Sequence, residues 1–208
     1  MKSILVANSK GGCGKTTIAT SLAGAFADAG NNVLLADADR QGSSLAWTKS
    51  RPAHLAPIQS ADWSKRIGTI PKGLHYLIID GPAGIRETQV EALLDTVDII
   101  VMPVLPSVFD QNASQEFLSK LDELKPIRRN KKPIAIVGNR VRAYTRAAQR
   151  LDEFLAELGH DVLTRLRESS FYPEAAARGM TIFDMGDMRS ELVREDWDPL
   201  ISFIEDRK

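Results

Sequence analysis

Residues Lys10-Gly11-Gly12-Cys13-Gly14-Lys15-Thr16-Thr17 stand directly after the apolar run Ile4-Leu5-Val6-Ala7 and directly before a segment of helical periodicity. A strand that turns into a helix through three glycines is built for close approach. The glycines let the backbone fold around a polyphosphate with successive N–H groups turned inward at its oxygens. The helix N-terminus behind them adds partial positive charge. Lys15 supplies an ammonium for the terminal phosphates, and the Thr16 hydroxyl is a ligand for Mg2+. Gly11, Gly12, Cys13, Gly14, Lys15, Thr16 and Thr17 are therefore the candidate residues for binding a nucleoside triphosphate.

Apolar runs alternate with helical patterns along the whole chain, which predicts an α/β fold with a doubly wound, mostly parallel sheet covered by helices on both faces. After the first strand, Ile18, Leu22, Ala25, Phe26 and Ala29 recur at helical spacing, and Gly30 stops the helix. Further strands are expected at Val33–Ala36, Tyr76–Ile79, Ile99–Met102 and Ile134–Val137, with a sixth beginning at Val162-Leu163. Residues 51–73, with Pro52, Pro57 and Pro71, read as a surface excursion holding a short helix or strand. Three of the strands end on polar residues, Asp37, Asp80 and Asn139. Open α/β sheets place their ligand crevice at those C-terminal ends.

Composition bounds the rest. At 208 residues and 43% apolar content, a single domain spanning 1–208 with a full core is expected. The first strand begins at residue 2, which leaves no room for a signal peptide or an N-terminal helix-turn-helix extension. One cysteine excludes an internal disulfide and fits a reducing cytoplasm. No apolar run approaches the ~20 residues of a membrane span. Formal net charge is zero, so composition alone draws the chain toward neither nucleic acid nor membrane.

The phosphate loop departs from the usual G-x-x-x-x-G-K-[ST] pattern. Ser9 stands where glycine is expected, and a second lysine, Lys10, opens the loop. This box resembles the deviant Walker A motif of the ParA/MinD family of P-loop ATPases, in which the opening lysine reaches across a dimer interface to the partner's nucleotide. Asp37-Ala38-Asp39-Arg40-Gln41 is similar to that family's D-x-D-P-Q stretch, with Arg40 in place of proline. The resemblance implies that Asp39 orients or deprotonates the attacking water and that Asp37 supports the Mg2+ shell. Asp80 resembles the Walker B acid, and Gly81-Pro82-Ala83-Gly84 the D-x-P-P turn, with Ala83 replacing the second proline. Asn139 matches an asparagine whose amide reads adenine, and no N-K-x-D motif for guanine is present. Glu174-Ala175, Gly179 and Ile182 match a later family pattern, although Arg167 stands where proline is usual. The likeness runs from Lys2 to about Ile182. Cys13 reads as a small residue tolerated in the loop. A thiol acidified by a helix N-terminus would be the redox alternative.

The resemblance implies an ATPase (ATP to ADP and phosphate) with ATP and Mg2+ as cofactors, with Lys10, Lys15 and Asp39 catalytic, and with Thr16, Asp37 and Asp80 around the metal. It further implies an ATP-dependent homodimer, non-specific DNA binding, and a ParB-like or cargo-adaptor protein that stimulates hydrolysis. A plasmid, a chromosome region or a protein cargo is thereby partitioned or positioned, and the protein is cytoplasmic and nucleoid-associated in its ATP state. Residues 120–150 carry ten Lys and Arg against Asp122 and Glu123. Arg128, Arg129, Lys131, Lys132, Arg146 and Arg150 are the candidate phosphate-backbone contacts. A solvated charged face is the plain alternative. Two other readings stay open, and a third is excluded by the cysteine count. A dethiobiotin-synthetase-like ligase would share the fold and have no use for Lys10 at a partner's nucleotide. MinD-like membrane cycling needs a basic amphipathic C-terminal helix, whereas Trp197–Asp206 is acidic on its polar side and is expected to dock on the domain. Cluster-based electron transfer needs more cysteines than Cys13.

Overall fold

The computed structural model describes residues 1–129 and 131–207. In chain order the first half contains β1 (Lys2–Val6), α1 (Lys15–Asp28), β2 (Val33–Asp37), α2 (Ser43–Ser50), β3 (Gln59–Asp62), β4 (Tyr76–Asp80) and α3 (Glu87–Leu93). The second half contains β5 (Ile99–Val104), α4 (Val108–Asp122), α5 (Lys125–Arg128), β6 (Ile134–Val141), α6 (Arg146–Glu157), β7 (Asp161–Arg167), α7 (Phe171–Ala176), α8 (Met188–Arg194) and α9 (Asp198–Asp206). Among the described residues, seven strands form one sheet in the order β3-β2-β4-β1-β5-β6-β7, and every neighbouring pair is parallel.

Alternation along each strand feeds two cores. Leu5, Leu77, Ile79 and Ile100 point to one face of the sheet, whereas Ile4, Ile78 and Val101 point to the other. Both faces are dry because helices cover them, which is why the central strands read as continuous apolar runs. On α1 the expected Ile18, Leu22 and Phe26 are buried, and Gly30, at φ 80°, follows the helix end in a left-handed conformation that favours glycine. Trp197, Leu200 and Ile204 are fully buried in the second core, so the apolar side of α9 docks on the domain as expected. Among the described residues, no helix is long and apolar enough to cross a membrane.

Register brings the polar strand ends together. Val6 and Asp37 both align with Asp80, so the loops after β1, β2 and β4 leave the sheet side by side. The chain reverses direction of travel at β1, which lies between β4 and β5. That switch point is where such a sheet opens its crevice.

Two elements exceed the sequence reading. The excursion at 51–73 does contain a strand, β3, but Gln-Ser-Ala-Asp has no apolar pattern. It pairs on one side only, to β2, and its side chains are mostly exposed. The last strand, β7, begins at Asp161 and runs on through Arg167, so its charged half had no apolar signal to betray it.

Candidate nucleotide site

The phosphate loop is fixed from below by Asn8, a residue whose importance is not apparent from the loop motif. Asn8 is fully buried. Its amide nitrogen donates to the Pro103 carbonyl (2.7 Å) and the Ser114 hydroxyl (2.8 Å), and its Oδ1 accepts from the Lys10 backbone N–H (3.1 Å). The end of β5 and the middle of α4 thus hold the mouth of the loop. Its polarity, directly after an apolar run, was the available signal.

Within the loop, Gly12 (φ 77°) and Gly14 (φ 98°) adopt left-handed conformations. A Cβ at Gly14 would lie 2.2 Å from Asn139 Nδ2, so that position has neither the dihedral freedom nor the room for a side chain. Lys15 is buried, and its ammonium donates to the Lys10 carbonyl (3.0 Å). Cys13 is equally buried. Burial pushes its thiol up, against the pull of Lys15, and the thiol donates to the Lys10 carbonyl. The redox alternative needs this thiol lowered, whereas burial raises it, which favours the reading of Cys13 as a small residue tolerated in the loop.

A cavity of about 260 Å³ opens over the loop, lined by Gly12, Lys15, Thr16, Asp39, Gln41 and Arg140 among others. Asp39 is held by two backbone donors, Gln41 N–H (2.9 Å) and Ala83 N–H (2.8 Å). These bonds tie the β2 and β4 loops together and leave each carboxylate oxygen a lone pair for a water in the cavity. Gln41, quoted in the D-x-D-x-Q stretch but given no role there, lies in the same wall.

Asp37 stands level with Asp80, near enough for its charge to act on that carboxyl. It is fully buried, its Oδ1 accepts from Asp39 N–H (3.0 Å), and its Oδ2 accepts from Ser44 (2.9 Å) and Leu45 (3.0 Å) N–H. Three backbone donors occupy its carboxylate, so it anchors the first turn of α2 and orients Asp39.

Asp80 is the opposite case. Its side chain is 1% exposed and neither oxygen has a hydrogen-bond partner. Burial pushes its carboxyl up to about 7; the Thr16 and Ser44 hydroxyls close by, short of hydrogen-bond geometry, offset only part of this, and the Asp37 charge adds to it. A buried, unpartnered carboxylate beside the Thr16 hydroxyl is an all-oxygen donor set that fits a hard divalent cation. The residues present therefore suit Mg2+ at Thr16 and Asp80.

A second cavity, of about 250 Å³, adjoins the first at Thr17 and is lined by Asn139, Arg140, Glu168, Tyr172, Pro173 and Ala176. Asn139 is buried here, with Nδ2 donating to the Cys13 carbonyl (2.7 Å) and Oδ1 accepting from Arg140 N–H (3.0 Å). One amide hydrogen and one lone pair are left for a base.

Lys10 does not line the phosphate cavity. Its side chain is 41% exposed and its ammonium lies 3.9 Å from Asp110 Oδ1 at the start of α4.

The basic segment is split by β6. Arg128, Arg129, Lys131 and Lys132 precede this eight-residue strand, whereas Arg146 and Arg150 follow it. At ~3.3 Å per residue this strand spans roughly 25 Å, and the two groups leave its opposite ends. Lys132 donates to the Val97 carbonyl (2.6 Å) and pairs with Asp98 (3.8 Å). The single patch expected from the sequence is thus two patches, and only the second shares the nucleotide edge.

Residues 4–182 match the model of the CobQ/CobB/MinD/ParA nucleotide binding domain. The chain belongs to this nucleotide-binding family. Within the CobQ/CobB/MinD/ParA family, it is 28% identical over 190 residues to the maintenance of carboxysome distribution protein A of Halothiobacillus neapolitanus, covering 88% of this chain and 87% of that protein. Among solved structures, the ATP complex of an aspartate-to-alanine variant of McdA from Cyanothece superposes with a TM-score of 0.73 at 18% identity, covering 99% of this chain and 95% of that one. The MinD cell division protein of Aquifex aeolicus gives a TM-score of 0.74 at 18% identity, covering 97% of each chain. These structures share the fold.

Proposed function

We propose that the chain is an ATP- and Mg2+-dependent positioning ATPase, a single domain over 1–208, that closes into a homodimer on ATP and binds DNA without sequence preference. Partner-stimulated hydrolysis then releases it, and the cycle spaces a cargo along the nucleoid. The relative from Halothiobacillus neapolitanus maintains carboxysome distribution, so a protein cargo is the first expectation. The observation that carries the reading is the placement of Lys10. Lys15 belongs to its own loop's interior, but Lys10 lies outside that cavity on an accessible surface. A small-molecule ligase has no use for such a lysine, whereas a nucleotide shared between two subunits does.

The chemistry assigned to the site follows from its donors. Backbone N–H groups of Gly12 to Thr17 and the Lys15 ammonium hold the phosphates. Thr16 and Asp80 would hold Mg2+, which neutralises charge on the β- and γ-phosphates when bound. Asp39 accepts a hydrogen bond from the attacking water and aims it at the γ-phosphorus; the bond to the ADP oxygen breaks and phosphate leaves. Asn139 faces the base. Arg146 and Arg150, one turn apart on the exposed side of α6, are the nearest candidates for DNA phosphates.

Binding to a nonspecific duplex with ATP, with ADP and without nucleotide, across a salt series, tests this reading. ATP-dependent binding that weakens steeply with salt is expected. ATP binding without DNA binding in any state would move the assignment to a metabolic or non-nucleoid role.

A further inference from the structure

Strand β6 breaks register against β7 at the nucleotide edge. Gly138 pairs with Arg165 and Val141 with Arg167, so three steps along β6 face two along β7. The extra residue forms a bulge, and the residue it throws outward is Arg140, at φ 53°. Bulges re-aim side chains next to sites, and a residue held in the left-handed region is ordinarily glycine. An arginine there keeps a strained backbone where glycine would relax it.

The strain is over-determined by the phosphate loop. Arg140 N–H donates to Asn139 Oδ1, and Asn139 Nδ2 donates to the Cys13 carbonyl. Two hydrogen bonds therefore tie the Arg140 backbone to the loop. Arg140 lines both the phosphate cavity and the base cavity, which meet at Thr17. The neighbouring acid, Glu168, is hydrogen-bonded to Arg142 and lies close enough to Arg140 for that charge to help hold its carboxyl below the usual range. Arg142 thus takes the carboxylate in a hydrogen bond, and Arg140 stays exposed where it lines both cavities.

We infer that Arg140 is a phosphate clamp acting within its own subunit: its guanidinium closes over the α- and β-phosphates of the bound nucleotide, opposite the Lys15 ammonium. The planar fork suits two phosphate oxygens at once, and a charge placed between base and terminal phosphate grips ATP and ADP alike. The inference rests on the nucleotide-binding reading of the loop.

Calorimetric titration of Arg140→Gly and Arg140→Lys with ADP and with a non-hydrolysable ATP analogue tests it, and Lys15→Ala serves as the control. Arg140→Gly relieves the backbone and removes an exposed side chain together with its guanidinium, so its melting temperature without nucleotide should match or exceed the parent's. Its affinity for both nucleotides should fall about tenfold or more, the size expected for lost charge-assisted bonds. Arg140→Lys should fall between the two, because it keeps the charge and loses the fork. Unchanged ADP affinity in Arg140→Gly overturns the clamp. So does a loss confined to the ATP analogue, which assigns Arg140 to the partner's nucleotide, or a loss confined to DNA binding. If the parent itself binds neither nucleotide, the loop assignment fails and not the clamp alone.

Discussion

A carboxylate with 1% exposure and no partner, as Asp80 is, is held at a cost to the fold. Its folded-state pKa, pushed by burial to about 7, lies well above the ~3.9 of an unfolded aspartate. Between those values the folded protein holds a proton that the unfolded chain has released. Unfolding then sheds a proton, so stability falls as pH rises from about 4 to about 7 and levels off above. At ~1.4 kcal/mol per unit the burden at pH 8 is on the order of a few kcal/mol. Asp80→Asn should therefore flatten the pH dependence of melting in the nucleotide-free protein and raise its melting point at pH 8 by roughly 5 °C. The same variant should lose turnover by roughly 10–100-fold, as for a residue that positions a metal's surroundings. Melting curves of both proteins from pH 4.5 to 8.5 decide it; parallel curves would mean that Asp80 is not the titrating burden. Such trading of stability for chemistry marks a functional site. Asp37, two positions before Asp39 and equally acidic in the sequence, shows the contrast. Three backbone donors satisfy it, and only the folded structure distinguishes a capped carboxylate from an orphaned one.

Strands β1, β2, β4, β5 and β6 were legible because each is buried on both faces and spells itself as an apolar run. β3 was not, because an exposed edge strand paired on one side needs no apolar residues. The division of the basic segment was hidden for a related reason: residues close in sequence are separated by the strand between them. Charge reversal at Arg146 and Arg150 should consequently weaken ATP-dependent DNA binding about tenfold or more near 0.1 M salt and flatten its salt dependence. Reversal at Arg128 and Arg129, before the other end of β6, should change it by less than about threefold. Fluorescence anisotropy with a labelled duplex separates the two variants, and the opposite ranking would put the DNA at that end. The bulge at Asn139 and Arg140 had no sequence signature either, since neither residue is the glycine that such a turn prefers.

At the scale of the whole molecule, the phosphate loop presents two lysines to two different places. Lys15 turns inward and is buried, whereas Lys10 stands at the surface against Asp110. Both were legible as loop lysines, but their separation comes from Asn8, which pins the Lys10 backbone to β5 and α4 and so directs its side chain away from the cavity. At 3.9 Å the two charges make no hydrogen bond, and Lys10 is the exposed member of the pair, so Asp110 holds Lys10 loosely enough for a phosphate to displace it. Lys10→Ala should then leave the melting temperature within about 2 °C of the parent and ATP affinity within about threefold, because it removes nothing from its own cavity. What it should remove is assembly: the parent should sediment as a dimer with a non-hydrolysable ATP analogue and as a monomer with ADP, whereas Lys10→Ala should stay monomeric with both. Stimulated turnover and ATP-dependent DNA binding should be lost with the dimer, since phosphate contacts made by two subunits multiply in affinity. A Lys10→Ala protein that dimerises normally on the analogue would place the subunit contact elsewhere. One that loses ATP binding as a monomer would return Lys10 to its own nucleotide.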